Sequence, residues 1–374
     1  MTASIFGFVT AITMVGPLLV DLARDLEVPL GQAGLLAAVM SLPWALGAPL
    51  TGLLSDRLGR RPLMVLALGG IGVFSVLAGF APNFELLMAA RFLAGCAGAF
   101  GPASVMAAVG DLYPPQRRGM AMGWLNAGFG LAAVAGVPAV GVVGGLFGWR
   151  WAFVSTGLAL LVLAALVQLG FPNPGRPPTP SSLRATYAAV LGTPLLGNVL
   201  GANLLERAIF NAAVLYLPPF LMVQYALGAA DVAPALALVA IGTIVGNSLG
   251  GWLGDRFSKV LTFVLAQSVA GCIGLLLFST SPGLVLSVLA GATFGLINAT
   301  SRPAFLALGS ELSATHRGAL LGVLSLTNQG GAVLGSALGG LSIGLGSYGM
   351  LAALTLGGGL GAALVALPLR RLKR

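Results

Sequence analysis

Charged residues are scarce in this sequence. Asp, Glu, Lys and Arg together make up 8% of the 374 residues, whereas hydrophobic residues make up 57%. A soluble domain carries roughly 25% charged residues, which keep its surface in contact with water. The mean hydropathy of +0.98 agrees with this composition. These values exclude a soluble globular protein and predict a chain that is surrounded mostly by lipid.

Several other features are also lacking. The two cysteines, Cys96 and Cys272, both fall inside apolar runs, which excludes a disulfide framework and indicates no metal site. A Gly-x-x-x-x-Gly-Lys-Ser/Thr loop is absent, so this chain alone cannot use ATP. We find no catalytic triad and predict neither an enzyme nor a cofactor. A cleavable signal peptide is not expected either, because residues 5–20 begin an apolar span and the next span follows almost at once.

Long apolar runs dominate the chain. A membrane-spanning helix needs about 20 mostly apolar residues, and these runs are too long and too uniform for barrel strands. The sequence therefore predicts an all-α membrane protein with twelve transmembrane helices. They lie at roughly 4–21, 33–54, 62–81, 85–110, 119–145, 150–171, 194–224, 232–253, 260–280, 283–309, 317–345 and 347–369.

The basic residues predict the orientation. Fourteen lie in one set of loops and in the C-terminal tail, whereas the opposite loops hold two, Arg24 and Arg150. Cytoplasmic loops are the ones enriched in Lys and Arg. Both termini and the central loop should therefore be cytoplasmic, in a bacterial-type inner membrane. The net charge of +9 has this origin, and we do not expect nucleic acid as a partner.

The middle of the chain reads as a linker between two halves. Residues 171–187 are rich in proline and serine, which is typical of a loop. We predict an N-terminal six-helix half over 1–171, a cytoplasmic linker with a short surface helix over 172–193, and a C-terminal six-helix half over 194–374. With no soluble domain, the protein is expected to act as a monomer.

The two halves contain an internal repeat. Asp56-Arg57 follows the second span and Asp255-Arg256 follows the eighth, 199 residues later. Arg118-Gly119 and Arg317-Gly318 share the same offset. Duplicated halves of this kind place a substrate site near the middle of the bilayer.

The loop after the second span carries a specific motif. It resembles the Gly-x-x-x-Asp-Arg-x-Gly-Arg-Arg signature that major facilitator proteins have between helices 2 and 3, and the second copy at Asp255 and Arg256 is degenerate. The resemblance implies the major facilitator fold, with two pseudo-symmetric halves. It also implies a gating loop in which Asp56 pairs with basic residues or with the end of helix 11. The matching residues are Gly52, Asp56, Arg57, Gly59, Arg60 and Arg61.

Two further stretches resemble the same family. Arg91-Phe-Leu-Ala-Gly95 is similar to its helix 4 signature, which implies a role for Arg91 in proton transfer. Gly136, Pro138 and Gly141 are similar to the helix 5 signature of the antiporter branch, and the Gly-Val-Pro form is similar to its sugar-efflux relatives. We expect Pro138 to bend this helix because proline removes a backbone donor.

Glycines repeat every four residues on the eighth and eleventh spans. Small residues let helix backbones approach closely in lipid. The family pairs helix 5 with 8 and helix 2 with 11 across the two halves, so we expect these stripes between the halves, where they would allow rocking. Plain helix packing is the alternative. The stripes are Gly242, Gly246 and Gly250, and Gly331, Gly335 and Gly339.

Glu206 is the one acidic residue deep inside a span. Ionisable groups in the membrane are costly and point to function, and removal from water favours the neutral form of a carboxylic acid. Glu206 is therefore our candidate proton carrier, with a structural ion pair as the alternative. Neighbouring helix residues point about 100° apart, so we do not expect a simple pair between Glu206 and Arg207.

Other polar or aromatic residues inside spans are candidates for a substrate cavity. Asn203, Arg207 and Asn211 are four residues apart and share one face of the seventh helix. The remaining candidates are Asn126, Asn298, Arg302 and Trp44.

These features together predict a proton-coupled exporter of small amphiphilic or drug-like molecules that works by alternating access. The expected partners are a small-molecule substrate, protons and the lipid bilayer. The alternatives are a sugar or metabolite exporter on the same fold and an uncoupled or lipid-translocating facilitator. A receptor or scaffold that moves nothing is a third, and the complete loop signature argues against it.

Overall fold

The computed structural model describes residues 1–172, 190–311, 317–345 and 347–373. Within these ranges the regular structure is helical throughout. Long apolar segments in lipid must satisfy their backbone groups internally, and a helix does so within one segment.

The first 172 residues form ten helices and one π-helical turn. The α-helices are α1 (Thr2–Thr13), α2 (Val15–Asp25), α3 (Leu30–Ala33), α4 (Leu35–Leu58), α5 (Arg60–Gly79), α6 (Phe84–Gly98), α7 (Gly101–Leu112), α8 (Pro115–Leu131), α9 (Val137–Phe147) and α10 (Trp149–Gly170).

The rest of the described chain forms six more helices and a terminal 3₁₀ helix, Leu367–Lys373. The α-helices are α11 (Leu196–Tyr225), α12 (Ala233–Arg256), α13 (Lys259–Thr280), α14 (Leu284–Glu311), α15 (Arg317–Gly344) and α16 (Tyr348–Ala366).

The helices account for the predicted spans. Eleven described segments are long and apolar enough to cross a membrane. Helix α15, with 28 residues, lies between the tenth and the last of them. With α15 counted, the described chain has the twelve long helical segments that the sequence predicts.

Several spans are interrupted helices. The first is divided at Met14 between α1 and α2, and the fifth passes through a π-helical turn at Ala132–Gly136. This turn directly precedes Pro138, which cannot donate to the carbonyl group four residues earlier. A π turn inside an α-helix is a local departure from the regular hydrogen-bond pattern. The irregular backbone therefore falls where Pro138 predicts it.

The chain divides into two compact units. Unit 1 comprises Met1–Pro180 with Gly228–Ala237, and unit 2 comprises Ser181–Leu227 with Leu238–Arg374. The turn that follows the seventh span thus groups with unit 1. Most of the predicted linker, residues 173–189, lies outside the described residues, so the predicted division at 172–193 stays a prediction.

The internal repeat is visible in how the helices pack. In unit 1, a Cβ added to Gly72 of α5 would lie 2.9 Å from the carbonyl oxygen of Gly157 in α10. In unit 2, a Cβ added to Gly271 of α13 would lie 3.3 Å from Cα of Leu356 in α16. The two positions in each unit are related by the same offset of 199 residues. The units therefore repeat a helix contact as well as the loop motifs.

The glycine stripes pack inside unit 2. A Cβ on Gly246 or Gly250 would clash with the backbone carbonyl of Leu296 or Thr300 in α14. A Cβ on Gly339 would lie 2.6 Å from the ring of Tyr216 in α11. The expectation that the stripes face the opposite half was wrong. They shorten the distance between helices of one unit, as small residues do in membrane bundles.

Candidate functional site

Unit 2 contains a cluster of buried polar side chains from three helices, which we name the arginine–glutamate cluster. Helix α11 contributes Asn203, Glu206 and Arg207 from adjacent turns. Helix α14 contributes Arg302, and α15 contributes the neighbours Thr327 and Asn328. These six side chains form one hydrogen-bonded network.

Glu206 lies at the centre of this network and is 1% exposed. Arg207 donates from Nε to Oε2 of Glu206 at 2.6 Å and from Nη2 to Oε1. Arg302 of α14 donates from Nη1 to Oε2 at 3.3 Å. The expectation that Glu206 and Arg207 would not pair was wrong. Their Cβ atoms diverge, but the arginine side chain is long enough to bring its planar fork back onto the carboxylate.

Arg302 joins the three helices. Its Nη1 donates to Oδ1 of Asn203 and its Nη2 to Oδ1 of Asn328, each at 2.8 Å. Asn203 in turn donates from Nδ2 to Oγ1 of Thr327 at 2.6 Å. Helix α14 continues past Pro303 to Glu311, so Arg302 contributes its side chain to the cluster from within an uninterrupted helix.

The cluster carries unequal charge. One carboxylate, Glu206, faces two guanidinium groups, those of Arg207 and Arg302. With all three ionised, the cluster has a net charge of +1. The side chains of Arg207 and Arg302 are 16% and 18% exposed. The carboxylate is therefore enclosed, and each arginine side chain keeps a small accessible surface.

Two other predicted cavity residues of unit 2 have different surroundings. Asn211 donates to the backbone carbonyl of Arg207 one turn earlier, at 2.8 Å. Asn298 is fully buried and donates to Oε1 of Gln267 at 3.4 Å. Gln267 donates to Oγ of Ser301 at 2.8 Å. Asn298 and Gln267 thus belong to a second buried network between α13 and α14.

The candidates in unit 1 are dispersed. Trp44 is 7% exposed and packs edge-on against Phe8, with ring centroids 6.4 Å apart. Asn126 is exposed on α8. Arg91 of α6 is 1% exposed and donates from Nη1 to the carbonyl of Ala11 at 3.0 Å. Trp44 therefore has the environment of a core residue.

Arg91 is unusual among the buried polar residues. Its Nε and Nη2 have no hydrogen-bond partner among the described residues, and its guanidinium carbon lies 5.8 Å from the ring centroid of Phe153. The bonded carbonyl belongs to Ala11, close to the division between α1 and α2. A buried guanidinium with so few partners is costly, and the role of Arg91 in proton transfer stays a prediction.

The loop that is predicted to gate is described in part. Gly59 joins α4 to α5 with φ = 92°, a backbone angle that favours glycine. Arg60 donates from Nε to Oδ2 of Asp111 at 2.8 Å and is 8% exposed. Arg61 is half-buried. The side chains of Asp56 and Arg57 and the surroundings of Gly52 are not among the described parts, so the predicted pairing of Asp56 stays a prediction.

The remaining gating candidates have diverse contacts. A Cβ on Gly136 would meet the hydroxyl of Thr10, and one on Gly141 would lie 3.1 Å from the carbonyl of Ala229, both within unit 1. Asp255 and Arg256 are exposed at the end of α12, and Arg256 lies 5.5 Å from the ring centroid of Trp252. These contacts leave the predicted gating role untested.

The sequence reasoning missed several members of the two networks. The candidates did not include Thr327, Gln267 or Ser301. For Asn328, periodicity could not decide between the cavity and a neighbouring helix. The run Thr327-Asn328-Gln329 inside an otherwise apolar span was the available signal. No comparable signal exists for Ser301, because isolated serines are frequent in membrane helices.

The cluster has no equivalent in unit 1. The repeat offset of 199 residues relates Glu206 to Gly7, Arg207 to Phe8 and Arg302 to Ala103. Phe8 is fully buried in the apolar core of unit 1. The charged site is therefore a feature that the second half does not share with the first.

Comparisons with known proteins agree with the fold. The profile of the Major Facilitator Superfamily matches residues 1–336. A bacterial homologue of the human lysosomal transporter Spinster, in an inward-facing and unoccupied conformation, superposes with a TM-score of 0.74 at 20% identity, over 99% of this chain and 92% of that chain. The chain belongs to the Major Facilitator Superfamily and is a multi-pass membrane protein.

The sequence relatives are bacterial proteins, two of which are named as transporters. The inner membrane transport protein YdhP of Escherichia coli is 31% identical over 64% of this chain and 61% of its own length. A chloramphenicol resistance protein of Streptomyces lividans is 33% identical over 65% of this chain and 62% of its own. The uncharacterized MFS-type transporter YceJ of Bacillus subtilis is 26% identical over 70% of this chain and 67% of its own. The chain thus spans about two thirds of the relatives that it matches.

Proposed function

We propose that this protein is a secondary active transporter that exports small amphiphilic or drug-like molecules in exchange for protons. The observation that carries the proposal is the buried carboxylate of Glu206, held between Arg207 and Arg302. A proton on Glu206 removes its negative charge and weakens its bonds to both arginines. Protonation therefore weakens the hydrogen bond and ion pair between α11 and α14, and proton coupling requires such a change.

Similarity supports the substrate class. One relative is a chloramphenicol resistance protein, and the arginine–glutamate cluster lies among apolar helices, as expected of a site with a few polar anchors. By alternating access, such a site opens first to the cytoplasm and then to the outside. The orientation that we propose has both termini in the cytoplasm, with the protein acting as a monomer in the inner membrane.

A second function rests on the same geometry. The paired bonds from Arg207 to Glu206 and the contact from Arg302 also suit a purely structural ion pair. In that case the protein is an uncoupled facilitator, and the charge of Glu206 serves to hold the helices of unit 2 together.

Proton movement in proteoliposomes with an imposed pH gradient tests the two functions. The compounds are chloramphenicol, a cationic dye, a sugar and an aromatic carboxylate, and the variant is Glu206→Gln, which keeps the size of the side chain and removes its ionisation. We expect at least one compound to trigger proton flux in the native protein and Glu206→Gln to lower this flux by about tenfold or more.

The matched control is Glu85→Gln, which makes the same chemical change at an exposed position at the start of α6 and should leave the flux unchanged. Transport of a compound without proton movement, at equal rates in native protein and Glu206→Gln, would favour the facilitator. A compound-dependent flux that survives the substitution would remove Glu206 from the coupling mechanism.

A further inference from the structure

The arginine–glutamate cluster has one positive charge more than its carboxylate balances. Among the described residues of unit 2, the interior of the spans holds Glu206 as the single acidic residue, against Arg207 and Arg302. A net charge is costly to keep in the apolar interior of a membrane protein. A single negative charge brought by the transported molecule would neutralise it, whereas a cation would add to it.

The two guanidinium groups retain hydrogen-bonding capacity beyond Glu206. The bonds from Arg207 to the carboxylate use Nε and Nη2 and leave Nη1 outside the fork. Arg207 and Arg302 each keep an accessible fraction of their side chains, 16% and 18%, whereas Glu206 keeps 1%. The part of the cluster that stays accessible therefore belongs to the arginine side chains and not to the carboxylate. This arrangement favours a ligand group that accepts hydrogen bonds from the arginines. It disfavours a ligand group that must donate a hydrogen bond to Glu206.

The apolar surroundings indicate what else the molecule carries. The guanidinium carbon of Arg207 lies 4.6 Å from the ring centroid of Phe210, which is half-buried on the same helix. An aromatic or aliphatic group attached to the acid can pack on this ring while the acid binds the arginine. Asn211, one turn from Arg207, is bonded to the backbone carbonyl of that residue and adds no charge.

We propose that the transported molecule carries one acidic group, such as a carboxylate or sulfonate, which binds Arg207 and Arg302 while Glu206 stays paired with both arginines. The inference rests on the proposed transport function, because it names the substrate class of that site. Oxygen atoms of such a group match the planar fork of a guanidinium. With one monoanion bound, the three ionised side chains and the ligand together have no net charge.

Equilibrium binding to a matched series of probes tests this inference. The protein is placed in nanodiscs of neutral lipid, and empty nanodiscs provide the background. The probes are a dansyl fluorophore linked to a carboxylate, to the corresponding primary amide or to a quaternary ammonium group. We expect the carboxylate to bind about tenfold or more tighter than the amide, because charge-assisted hydrogen bonds are roughly twice as strong as neutral ones. The ammonium probe should bind weakest.

Substitutions then locate the site. Arg302→Gln should lower the affinity for the carboxylate to near that of the amide and leave the amide almost unchanged. Arg302→Lys keeps the charge but loses the fork, so its affinity should be intermediate, and it provides the comparison where Arg302→Gln does not fold. Arg370→Gln, at an exposed position in the same unit, is the control and should behave as native.

Three outcomes would overturn the inference: equal affinity for carboxylate and amide, preference for the ammonium probe, or carboxylate binding unaffected by both substitutions of Arg302. Because no proton gradient is imposed, the binding affinities do not depend on whether transport is coupled to protons. If the carboxylate binds here but no compound triggers proton flux in the proteoliposomes, the exchange mechanism is contradicted and the acidic substrate is not. Proton flux with the ammonium probe preferred would contradict the acidic substrate alone.

Discussion

Arg91 and Glu206 are both buried charges, but their surroundings differ. Glu206 is held by Arg207 and Arg302, so its charge is more than balanced. Arg91 has one hydrogen bond to a backbone carbonyl and a ring at 5.8 Å. Buried charges that lack full pairing reduce stability. At the scale of single residues, unit 1 thus keeps a destabilising cation and unit 2 keeps a compensated anion.

The first prediction concerns the cost of Arg91. Arg91→Met removes a guanidinium whose Nε and Nη2 lack partners among the described residues and keeps an unbranched apolar side chain. We expect the protein to become more stable, by about 1–3 kcal/mol, and transport to be lost if Arg91 takes part in proton transfer. Thermal unfolding in detergent and flux in proteoliposomes measure the two effects.

Arg60→Met serves as the comparison, since Arg60 donates to Asp111 at 2.8 Å and its removal should destabilise. A loss of stability in Arg91→Met as large as that in Arg60→Met would show that Arg91 is held by interactions as strong as an ion pair.

At the scale of helices, glycine decides how closely neighbours approach. Gly250 and Gly251 are adjacent on α12, but they face different surroundings. A Cβ on Gly250 would lie 2.8 Å from the carbonyl carbon of Thr300 in α14, whereas a Cβ on Gly251 would meet nothing within 4 Å. The neighbour of Gly250 is backbone, which cannot rotate away. The two positions therefore form a natural matched pair.

The second prediction uses this pair. Gly250→Ala should destabilise the protein by about 1–3 kcal/mol, because overpacking forces the two helices apart. Gly251→Ala should be neutral or stabilising by up to about 1 kcal/mol, since alanine favours the helix more than glycine does. Thermal unfolding of both variants in one detergent checks the difference. Equal stability of the two variants would contradict the close packing of α12 on α14.

At the scale of the whole molecule, orientation follows from charge. Fourteen basic residues on one side against two on the other favour one insertion, because Lys and Arg are retained in the cytoplasm. The spans are the multi-pass helices of a Major Facilitator Superfamily protein. The side on which each terminus lies is a prediction that labelling of cysteines tests directly.

The third prediction starts from a variant in which Cys96 and Cys272 are replaced by alanine. Single cysteines are then placed at two exposed positions, Asp231 and Arg370. A membrane-impermeant maleimide should label Asp231→Cys in intact cells and Arg370→Cys only after permeabilisation. Labelling of Arg370→Cys in intact cells, with Asp231→Cys protected, would reverse the proposed orientation.

Much of the fold was predictable because lipid imposes simple rules on sequence. The number and position of the spans follow from apolar length, and the irregular backbone before Pro138 follows from the missing donor of proline. The repeat was visible in Asp56 and Asp255. The packing partners of Gly246 and Gly335 were not predictable, because a stripe of small residues predicts that another helix packs closely but does not identify that helix.

The sequence by itself determined that the chain spans the membrane, which residues are charged within it, and which family it resembles, since these depend on residue type and order. The tertiary structure alone decided that Glu206 lies between Arg207 and Arg302 with Asn203, Thr327 and Asn328 around them. It also placed Asn298 in a second network with Gln267. The physical reason is that long flexible side chains and helices distant in sequence meet through packing, which periodicity along one helix does not specify.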